Sequence, residues 1–311
     1  MYKKKKFFVT GAMGFIGMNW CKKLLENNYF VYGLDIKKQK IKHKNFIYYQ
    51  DTVFNYPLVN KIIKKSDMVC HFAGIAEPMK YLTKTSEVID LTINPSINII
   101  NECSKHKKKI YFTSTSEVYG NLKKKKFSEK DDRLLGSTIY SRWCYSTAKA
   151  LAEHYIIAKA KEKKLDYIIF RLFNVYGSNL KGRVVDNFIE KALKNQNLQI
   201  NGNGKQTRCF LYIEDCMDAF FKIFSKKISR EIFNIGEDKE ITILNFAKKI
   251  ISLTKSKSKI IVNSKQLSKF KGYQDILKRV PDVTKLKKMT NWKPRFTLDQ
   301  GLRATIEKIT K

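Results

Sequence analysis

A glycine-rich turn between two short apolar runs constrains the fold more than any other feature of this chain. Phe7–Thr10 has the pattern of a strand, three glycines follow it, and Met18–Glu26 has the pattern of an amphipathic helix. A second apolar run, Tyr29–Leu34, ends in Asp35. This order predicts a βαβ unit whose first turn is built from glycine, the residue that lets a backbone bend sharply and approach a ligand closely.

The same turn predicts a dinucleotide site. Its glycines are Gly11, Gly14 and Gly17, and the helix beyond them offers unpaired N–H groups to a pyrophosphate. Asp35 closes the second run, where a carboxylate binds the hydroxyls of an adenosine ribose and repels a 2′-phosphate. We therefore expect NAD rather than NADP as the cofactor. A glycine-rich turn with a purely structural role is the alternative interpretation.

Strands and helices continue to alternate through the first half of the chain. The predicted strands are Phe46–Tyr49, Met68–Phe72, Ile110–Thr113 and Asp166–Phe170, and the long helices are Glu87–His106 and Tyr145–Lys164. Such alternation is typical of an α/β fold with a doubly wound parallel sheet (Rossmann-like), which binds ligands outside the carboxyl ends of its strands. After Asn174 the elements become shorter. We expect an NAD-binding domain over residues 1–173 and a smaller α/β substrate domain over residues 174–311, with an interleaved boundary.

The net charge of +34 is extreme, but its composition argues against a specific nucleic-acid partner. Only nine of the 62 basic residues are arginines, and the lysines are scattered rather than interleaved with aromatic residues along a groove. We interpret them as a solvated surface.

Six cysteines lack the paired spacing of metal ligands and lie mostly in apolar runs. We expect reduced, buried thiols in a cytoplasmic protein, and no metal site. No apolar run reaches the length that spans a bilayer, so we also expect no membrane partner.

A tyrosine and a lysine four positions apart carry the predicted chemistry. Tyr145 and Lys149 share one face of a helix. A nearby ammonium is expected to lower the pKa of the phenol toward working pH. Such a tyrosine can accept a hydroxyl proton while hydride leaves the same carbon. Alone this spacing is common on helix surfaces, but beside a dinucleotide fold it predicts a general base.

The end of the predicted fifth strand holds the other candidate groups. The run Ser114–Gly120 places hydroxyls and a carboxylate at the carboxyl edge of the sheet. Thr115 is expected to hydrogen-bond the reacting oxygen, and Ser116 and Glu117 to handle protons at neighbouring carbons. A polar turn with a structural role is the alternative.

Together these motifs resemble the extended short-chain dehydrogenase/reductase family of nucleotide-sugar epimerases, dehydratases and decarboxylases. The resemblance covers nearly the whole chain and rests on Thr10–Gly17, His71–Gly74, Ser114–Gly120, Tyr145 with Lys149, and Arg171–Gly177. It implies that His71–Gly74 lines the cofactor cleft, that Asp51 lies near the adenine, and that Asn174 holds a sugar-nucleotide diphosphate. It also implies a homodimer formed through the two long helices.

Finer resemblances favour decarboxylation of UDP-glucuronate. Gly182–Ile189 and Gly202–Arg208 are similar to UDP-glucuronate decarboxylases. Arg142–Tyr145 and Gly272–Arg279 are similar to the decarboxylating domain of the aminoarabinose–lipid A pathway, which gives Arg279 catalytic importance. Ser116 stands where the 4,6-dehydratases have aspartate. A nucleotide-sugar 4-epimerase is the alternative enzyme, and a non-catalytic nucleotide- or RNA-binding relative is the alternative of another class.

Arginine is scarce in this lysine-rich chain, so we expect it where a planar, bidentate donor is needed. Arg183, Arg208 and Arg279 lie near polar turns of the second half, and a diphosphate or a carboxylate is the ligand that suits such donors. A surface salt bridge is the alternative for each.

The predicted site residues fall into three groups. The cofactor-binding candidates are Gly11, Gly14, Phe15, Ile16, Gly17, Asp35, Asp51, Ala73, Gly74, Tyr145 and Lys149. The catalytic candidates are Thr115, Ser116, Glu117, Tyr145, Lys149 and Arg279. The substrate-binding candidates are Asn174, Arg183, Asn187, Arg208 and Arg279.

Overall fold

A computed structural model describes residues 5–263 and 276–310. The strands are β1 Lys6–Thr10, β2 Phe30–Asp35, β3 Phe46–Gln50, β4 Met68–His71, β5 Lys109–Thr115, β6 Tyr167–Leu172, β7 Val175–Tyr176, β8 Leu198–Asn201, β9 Thr207–Cys209, β10 Leu211–Tyr212, β11 Glu231–Ile235, β12 Glu240–Thr242 and β13 Ile260–Asn263. The α-helices are α1 Phe15–Glu26, α2 Tyr56–Lys65, α3 Pro78–Thr83, α4 Thr85–Lys105, α5 Cys144–Lys163, α6 Val184–Leu193, α7 Ile213–Ser225, α8 Ile243–Thr254, α9 Thr284–Thr290 and α10 Leu298–Thr310.

Seven parallel strands form the central sheet in the order β11-β6-β5-β4-β1-β2-β3. The chain moves outward from β1 through β2 to β3, then returns to β4 on the other side of β1. The reversal between β1 and β4 opens a crevice at the carboxyl ends of these strands, the usual ligand position in a doubly wound sheet. The predicted fold class is therefore confirmed.

The central strands are apolar because both faces of the sheet are covered. Phe7, Phe8 and Val9 of β1 are fully buried. Phe7 and Val9 pack in a cluster with α1 and α7, whereas Phe8 packs on the other face in a cluster with α2 and α4. Burial on both faces is what makes a parallel strand a nearly continuous apolar run.

The second half of the chain forms short strand pairs beside the crevice. β7 pairs with β10 and β8 with β13 in parallel, and β9 pairs with β12 in antiparallel orientation. However, β11 joins the central sheet against β6, although it follows residue 174 in the chain. The division at residues 173 and 174 therefore stays a prediction about the sequence, and the chain crosses it when β11 returns to the sheet.

The structure also bears on the predictions of reduced cysteines and of no membrane-spanning segment. The six cysteines are all free thiols, and every one except the partly exposed Cys144 is buried. Across residues 5–263 and 276–310, no helix is both long and apolar enough to cross a membrane.

Candidate active site

The glycine turn after β1 is held against the end of β4. Gly11 has a φ of +67°, and a Cβ at this position would lie 2.8 Å from the backbone nitrogen of Ala73. A Cβ on Gly17 would lie 2.1 Å from the carbonyl oxygen of Gly11. Only glycine is tolerated at either position, because α1 starts directly on the turn and the turn touches β4.

Asp35 is fixed beside this turn. Its Oδ2 accepts a hydrogen bond from the backbone nitrogen of Met13 at 2.9 Å, and its Oδ1 accepts one from Lys37 at 3.1 Å. The backbone nitrogen of Asp51 donates to the Asp35 carbonyl at 3.1 Å, so the two predicted acids of the cofactor site are neighbours.

The turn, the start of α1 and Asp35 together fit a dinucleotide. Phe15 and Ile16 open α1, and the residue that precedes them, Gly14, gives the helix no side-chain cap. The first N–H groups of the helix are therefore presented at the crevice. Because no side chain fits between Gly11 and Ala73, the backbone of these two residues lines the crevice.

A chain of buried hydrogen bonds sets the position of Ala73. The Thr10 hydroxyl oxygen accepts from the backbone nitrogens of Phe72 and Ala73, and the hydroxyl bonds to His71 Nδ1 at 2.8 Å. His71 Nε2 lies 3.0 Å from the Ser96 hydroxyl. Burial lowers the pKa of His71 to about 3, so the imidazole is neutral and serves as part of this scaffold rather than as an acid.

Lys149 lies under the crevice between β4 and β5. Its Nζ donates to the Thr113 carbonyl at 2.8 Å, and a Cβ on Gly74 would be 3.8 Å from that Nζ. Burial lowers the pKa of Lys149 to about 8. This ammonium therefore faces the part of the predicted cofactor site that Gly74 leaves open.

Tyr145, on the first turn of α5, is buried and stacks on another tyrosine. Its ring centroid is 4.7 Å from that of Tyr81, and the rings are inclined by only 10°. The expectation that Lys149 lowers the Tyr145 pKa is wrong: burial raises the pKa above its usual value of 10, and the cation that opposes the rise is Arg183. The error arises because the sequence spacing shows the charge but not the desolvation.

Thr115 and Glu117 flank the same end of β5. Thr115 Oγ1 accepts a hydrogen bond from the Glu117 backbone nitrogen at 3.2 Å, capping a single turn of 3-10 helix over Ser116–Tyr119. The bond uses the oxygen of Thr115 only as an acceptor. Its hydroxyl hydrogen can therefore be donated to a ligand, as the sequence predicts.

The carboxylate of Glu117 is shared by two buried arginines. Its Oε1 lies 2.6 Å from Arg279 Nη1, and its Oε2 lies 2.6 Å from Arg142 Nη2. Arg279 Nη1 is also 3.4 Å from the Ser116 hydroxyl. The two guanidinium groups hold the pKa of Glu117 well below its usual range despite its burial. We refer to Arg142, Glu117 and Arg279 as the arginine cluster.

The arginine cluster has one more positive charge than negative, because two arginines share a single carboxylate. Arg279 is only 6% exposed, yet its Nε has no hydrogen-bond partner among the described residues. A buried guanidinium that is left with an unused donor is costly unless a ligand completes it. The cluster is therefore suited to an anion.

Backbone pairing to a distant loop places Arg279. The nitrogen of Phe127 donates to the Val280 carbonyl at 2.8 Å, and the nitrogen of Asp282 donates to the Phe127 carbonyl at 2.7 Å. The Asn234 side chain donates to the carbonyls of both Phe127 and Asp282. The first four residues of the Gly272–Arg279 motif lie outside the described residues.

The other predicted substrate residues are distributed around the crevice. Arg183 begins α6, donates to the Ala76 carbonyl and lies near enough to Tyr145 to affect its pKa. Asn174 donates to the carbonyl of Cys209, the neighbour of Arg208, at 3.1 Å. Asn187 is exposed on α6. Arg183 thus lies near Tyr145, whereas Asn174 is bound to β9, the strand that carries Arg208.

Two residues of the site were missed by the sequence predictions. Tyr81 lies on the short helix α3 and stacks on Tyr145; a tyrosine shortly after a strand that ends at the crevice was the available signal. Arg142 entered only as part of a resemblance. It is one of nine arginines in a lysine-rich chain and stands three positions before Tyr145. Its scarcity and this spacing are the sequence signals that indicate a place in the site.

Comparisons with known proteins agree on the class of fold and cofactor. Residues 7–236 match the model of the NAD dependent epimerase/dehydratase family. UDP-N-acetyl-alpha-D-glucosaminuronate decarboxylase of Bacillus cytotoxicus is 35% identical to this chain over 319 aligned residues, which cover 98% of this chain and 97% of the relative.

Two more known proteins are similar to nearly the whole of this chain. The bifunctional polymyxin resistance protein ArnA of Wigglesworthia glossinidia brevipalpis is 34% identical over 97% of this chain, which spans about half, 51%, of that protein. The crystal structure of UDP-glucose 4-epimerase from Thermotoga maritima superposes with a TM-score of 0.87 at 25% identity and covers 98% of both chains.

Proposed function

Since the chain belongs to the NAD dependent epimerase/dehydratase family, we propose that it uses NAD to decarboxylate a UDP-hexuronate, with UDP-glucuronate as the first candidate. The observation that carries this proposal is the arginine cluster, whose surplus positive charge and unused Arg279 donor lie beside the tyrosine and threonine of the oxidation site. A hexuronate differs from a neutral hexose by the C6 carboxylate. A guanidinium binds such a group through paired N–H donors.

The first step oxidises C4 of the sugar. When bound, NAD accepts the hydride from this carbon. Tyr145 must first lose its own proton to solvent; as the phenolate it takes the proton of the C4 hydroxyl, and the stack with Tyr81 holds its ring in place. Thr115 donates its hydroxyl hydrogen to the same oxygen. Lys149 remains bound to the Thr113 carbonyl and contributes positive charge beneath the cofactor.

The second step breaks the bond between C5 and C6. The C4 ketone is β to the carboxylate, so the bonding pair moves into an enolate at C4 and C5 while the carboxylate leaves as carbon dioxide. Tyr145, now protonated, and Thr115 stabilise the enolate oxygen. Protonation at C5 then completes a 4-keto-pentose. Glu117, which two arginines keep ionised, holds Arg279 rather than donating this proton. The Ser116 hydroxyl, which lies beside Arg279, is the proposed donor to C5 and is reprotonated from solvent.

A product analysis tests the proposal. Purified protein is incubated with NAD and, separately, with UDP-glucuronate, UDP-N-acetylglucosaminuronate and UDP-glucose, and the products are weighed by mass spectrometry. We expect the uronates to lose the mass of carbon dioxide, and the presence or absence of two further hydrogens to show whether hydride returns to the C4 ketone. Uronates that keep their mass would contradict the proposal.

A 4-epimerase is the second candidate. The superposition on the UDP-glucose 4-epimerase favours it, because Thr115 and Tyr145 would perform the same C4 oxidation before hydride returns to the other face. The product would then keep the mass of the substrate and change only its configuration at C4. The surplus charge of the arginine cluster has no role with a neutral hexose, which is why we place this reaction second.

We further propose a cytoplasmic homodimer. Ile89 and Ile97 of α4 and Leu151 of α5 are exposed apolar side chains on the two long helices that pack on each other, and a second copy would cover them. Leu151→Glu is expected to convert the dimer into a monomer in size-exclusion chromatography with light scattering. The scattered lysines are expected to give only weak, salt-sensitive and sequence-blind binding to nucleic acid.

A further inference from the structure

Arg142 is placed to control its neighbours in the arginine cluster. It lies on a turn of 3-10 helix over Ser141–Trp143 that leads directly into α5, and only 7% of it is exposed. It binds Glu117 Oε2, while Arg279 binds the other oxygen. A single carboxylate is therefore divided between a cation beside Tyr145 and a cation from the far end of the chain.

We propose that Arg142 is a positioning residue that prevents Glu117 from neutralising Arg279, so that Arg279 keeps a donor for an anionic group on the sugar. This inference rests on the proposed function and names the residue that gives its site a preference for charged sugars. The preference is a property of three residues together, although only Arg279 need touch the carboxylate.

The pairing of Glu117 with Arg279 departs from the usual carboxylate–guanidinium geometry. Arginine and a carboxylate, left as a pair, favour two parallel hydrogen bonds. In the structure, Glu117 instead offers Arg279 one oxygen, because Arg142 holds the other at 2.6 Å. The Nε of Arg279 is buried without a partner among the described residues. Removing Arg142 would free Oε2 to turn toward Arg279.

Charge balance leads to the same conclusion. With Arg142 present, the cluster carries a surplus positive charge that a substrate carboxylate neutralises. Without it, Glu117 and Arg279 form a neutral pair, and a carboxylate would enter against the charge of Glu117. Among the described residues, the other polar groups near Glu117 include Thr115 and Ser116, just before it in the chain, and Tyr81 and Tyr145, from α3 and α5.

In the described part of the chain, Arg183, at the start of α6, is another cation close to the two tyrosines. Burial keeps the pKa of both phenols above the usual value of 10. Before cofactor and substrate bind, both phenols are therefore neutral at pH 7, so they carry no charge that would compensate for the loss of Arg142. The low pKa of Glu117 has Arg279 and Arg142 as its causes, which agrees with a carboxylate divided between two cations.

Binding measurements in a background that cannot turn over test the inference. In Tyr145→Phe protein loaded with NAD, calorimetry gives the dissociation constants of UDP-glucuronate and UDP-glucose, and their ratio measures the preference for the charged sugar. We expect Arg142→Gln to reduce this preference roughly tenfold, the effect of one charged contact. Arg142→Lys, which keeps the charge without the planar donor, is expected to reduce it by about threefold.

Arg171→Lys is the matched control, since Arg171 is also a buried arginine bound to a glutamate, Glu153, but lies outside the arginine cluster. It should weaken the fold and leave the preference unchanged. The acid limb of kcat/KM in otherwise wild-type protein gives a second readout: Arg142→Gln should move it to higher pH, since Glu117 loses one of the cations that keep it ionised. Arg142→Lys should move it less.

The outcomes separate the two claims. If the wild-type protein decarboxylates UDP-glucuronate and neither Arg142 variant changes the preference, the inference is wrong while the proposed function stands. Equal loss of affinity for both sugars would also overturn it, because it would assign Arg142 a purely structural role. Should Arg142→Gln fail to fold, an unchanged preference in Arg142→Lys would overturn it as well. If the unmutated site has no preference for the charged sugar, both claims fall.

Discussion

Two buried groups of glutamate and arginine lie near the carboxyl end of β5, and they differ in charge balance. Glu153 on α5 and Arg171 on β6 form a one-to-one pair, with the Arg171 Nη2 and Glu153 Oε2 atoms 2.6 Å apart. The arginine cluster has two arginines for one glutamate. The first group pairs one cation with one anion, whereas the three residues of the second carry one more cation than anion.

The hydrogen bonds of the two groups differ in the same way. Arg171 donates to both Glu153 oxygens, to the Tyr119 hydroxyl and to the Glu129 carbonyl, and the Ser114 hydroxyl donates to Glu153. The Nε of Arg279, in contrast, has no partner among the described residues. A buried ion pair alone does not mark a functional site, and we propose that the surplus charge with an unused donor does so here.

The largest expected loss of stability comes from breaking the pair of Arg171 and Glu153. Arg171→Met leaves Glu153 buried without its cation, so it should lower the free energy of unfolding by about 3–5 kcal/mol in urea titrations. Arg279→Met leaves Glu117 bound to Arg142 and should cost roughly 1–2 kcal/mol. The exposed Arg230→Met serves as the control and should cost little. Equal destabilisation by the two buried variants would remove the distinction between the groups.

Chemistry should depend on the residues beside the arginine cluster. Tyr145→Phe removes only the phenolic oxygen and keeps the stack on Tyr81, so folding and NAD binding should persist while turnover falls by about 10²-fold or more. Turnover is measured by product formation at saturating substrate, and NAD affinity by calorimetry. Turnover close to that of the wild type would mean that another residue accepts the proton.

The stability of the arginine cluster should depend on pH. Because the folded pKa of Glu117 is depressed, its contribution to stability is present above the unfolded pKa and is lost as pH falls through the folded one. Glu117→Gln should therefore be destabilised by about 2 kcal/mol at pH 7, and the difference from wild type should shrink below pH ~4. Thermal unfolding across pH checks this. A difference that stays constant with pH would show that the charge of Glu117 does not stabilise the fold.

The smallest expected effect concerns the cofactor end of the sheet. Asp35→Ala removes the carboxylate that accepts the Met13 and Lys37 nitrogens, so NAD affinity should fall about tenfold and the preference over NADP should relax. Fluorescence titration with both cofactors measures this. Equal affinity of the wild-type protein for NAD and NADP would contradict the role of Asp35.

The sequence was sufficient to predict the cofactor side because its signals are local. The first βαβ unit, its glycines and Asp35 lie within one short stretch, and apolar runs that are buried on both faces identify the strands. The return of β11 to the sheet depends on pairing with β6, which is distant in sequence, and no local pattern encodes it.

The arginine cluster was harder to predict because it comes from three separate segments. Glu117 and Arg279 stand 162 positions apart, and the strand-like pairing of Phe127 with the segment after Arg279 is what brings them together. Sequence reasoning placed both residues in the site but gave Arg279 no internal partner and overlooked Arg142. It also reversed the direction of the Tyr145 pKa shift, because desolvation arises only from tertiary packing.

The central claim is that the surplus charge of the arginine cluster serves a sugar carboxylate. The most direct test follows the release of labelled carbon dioxide from UDP-glucuronate that carries 13C at C6, with NAD present. The account predicts release by the wild-type protein, strongly reduced release by Arg279→Lys, and unchanged NAD affinity in that variant. No labelled carbon dioxide from the wild-type protein, together with inversion of UDP-glucose at C4, would contradict it.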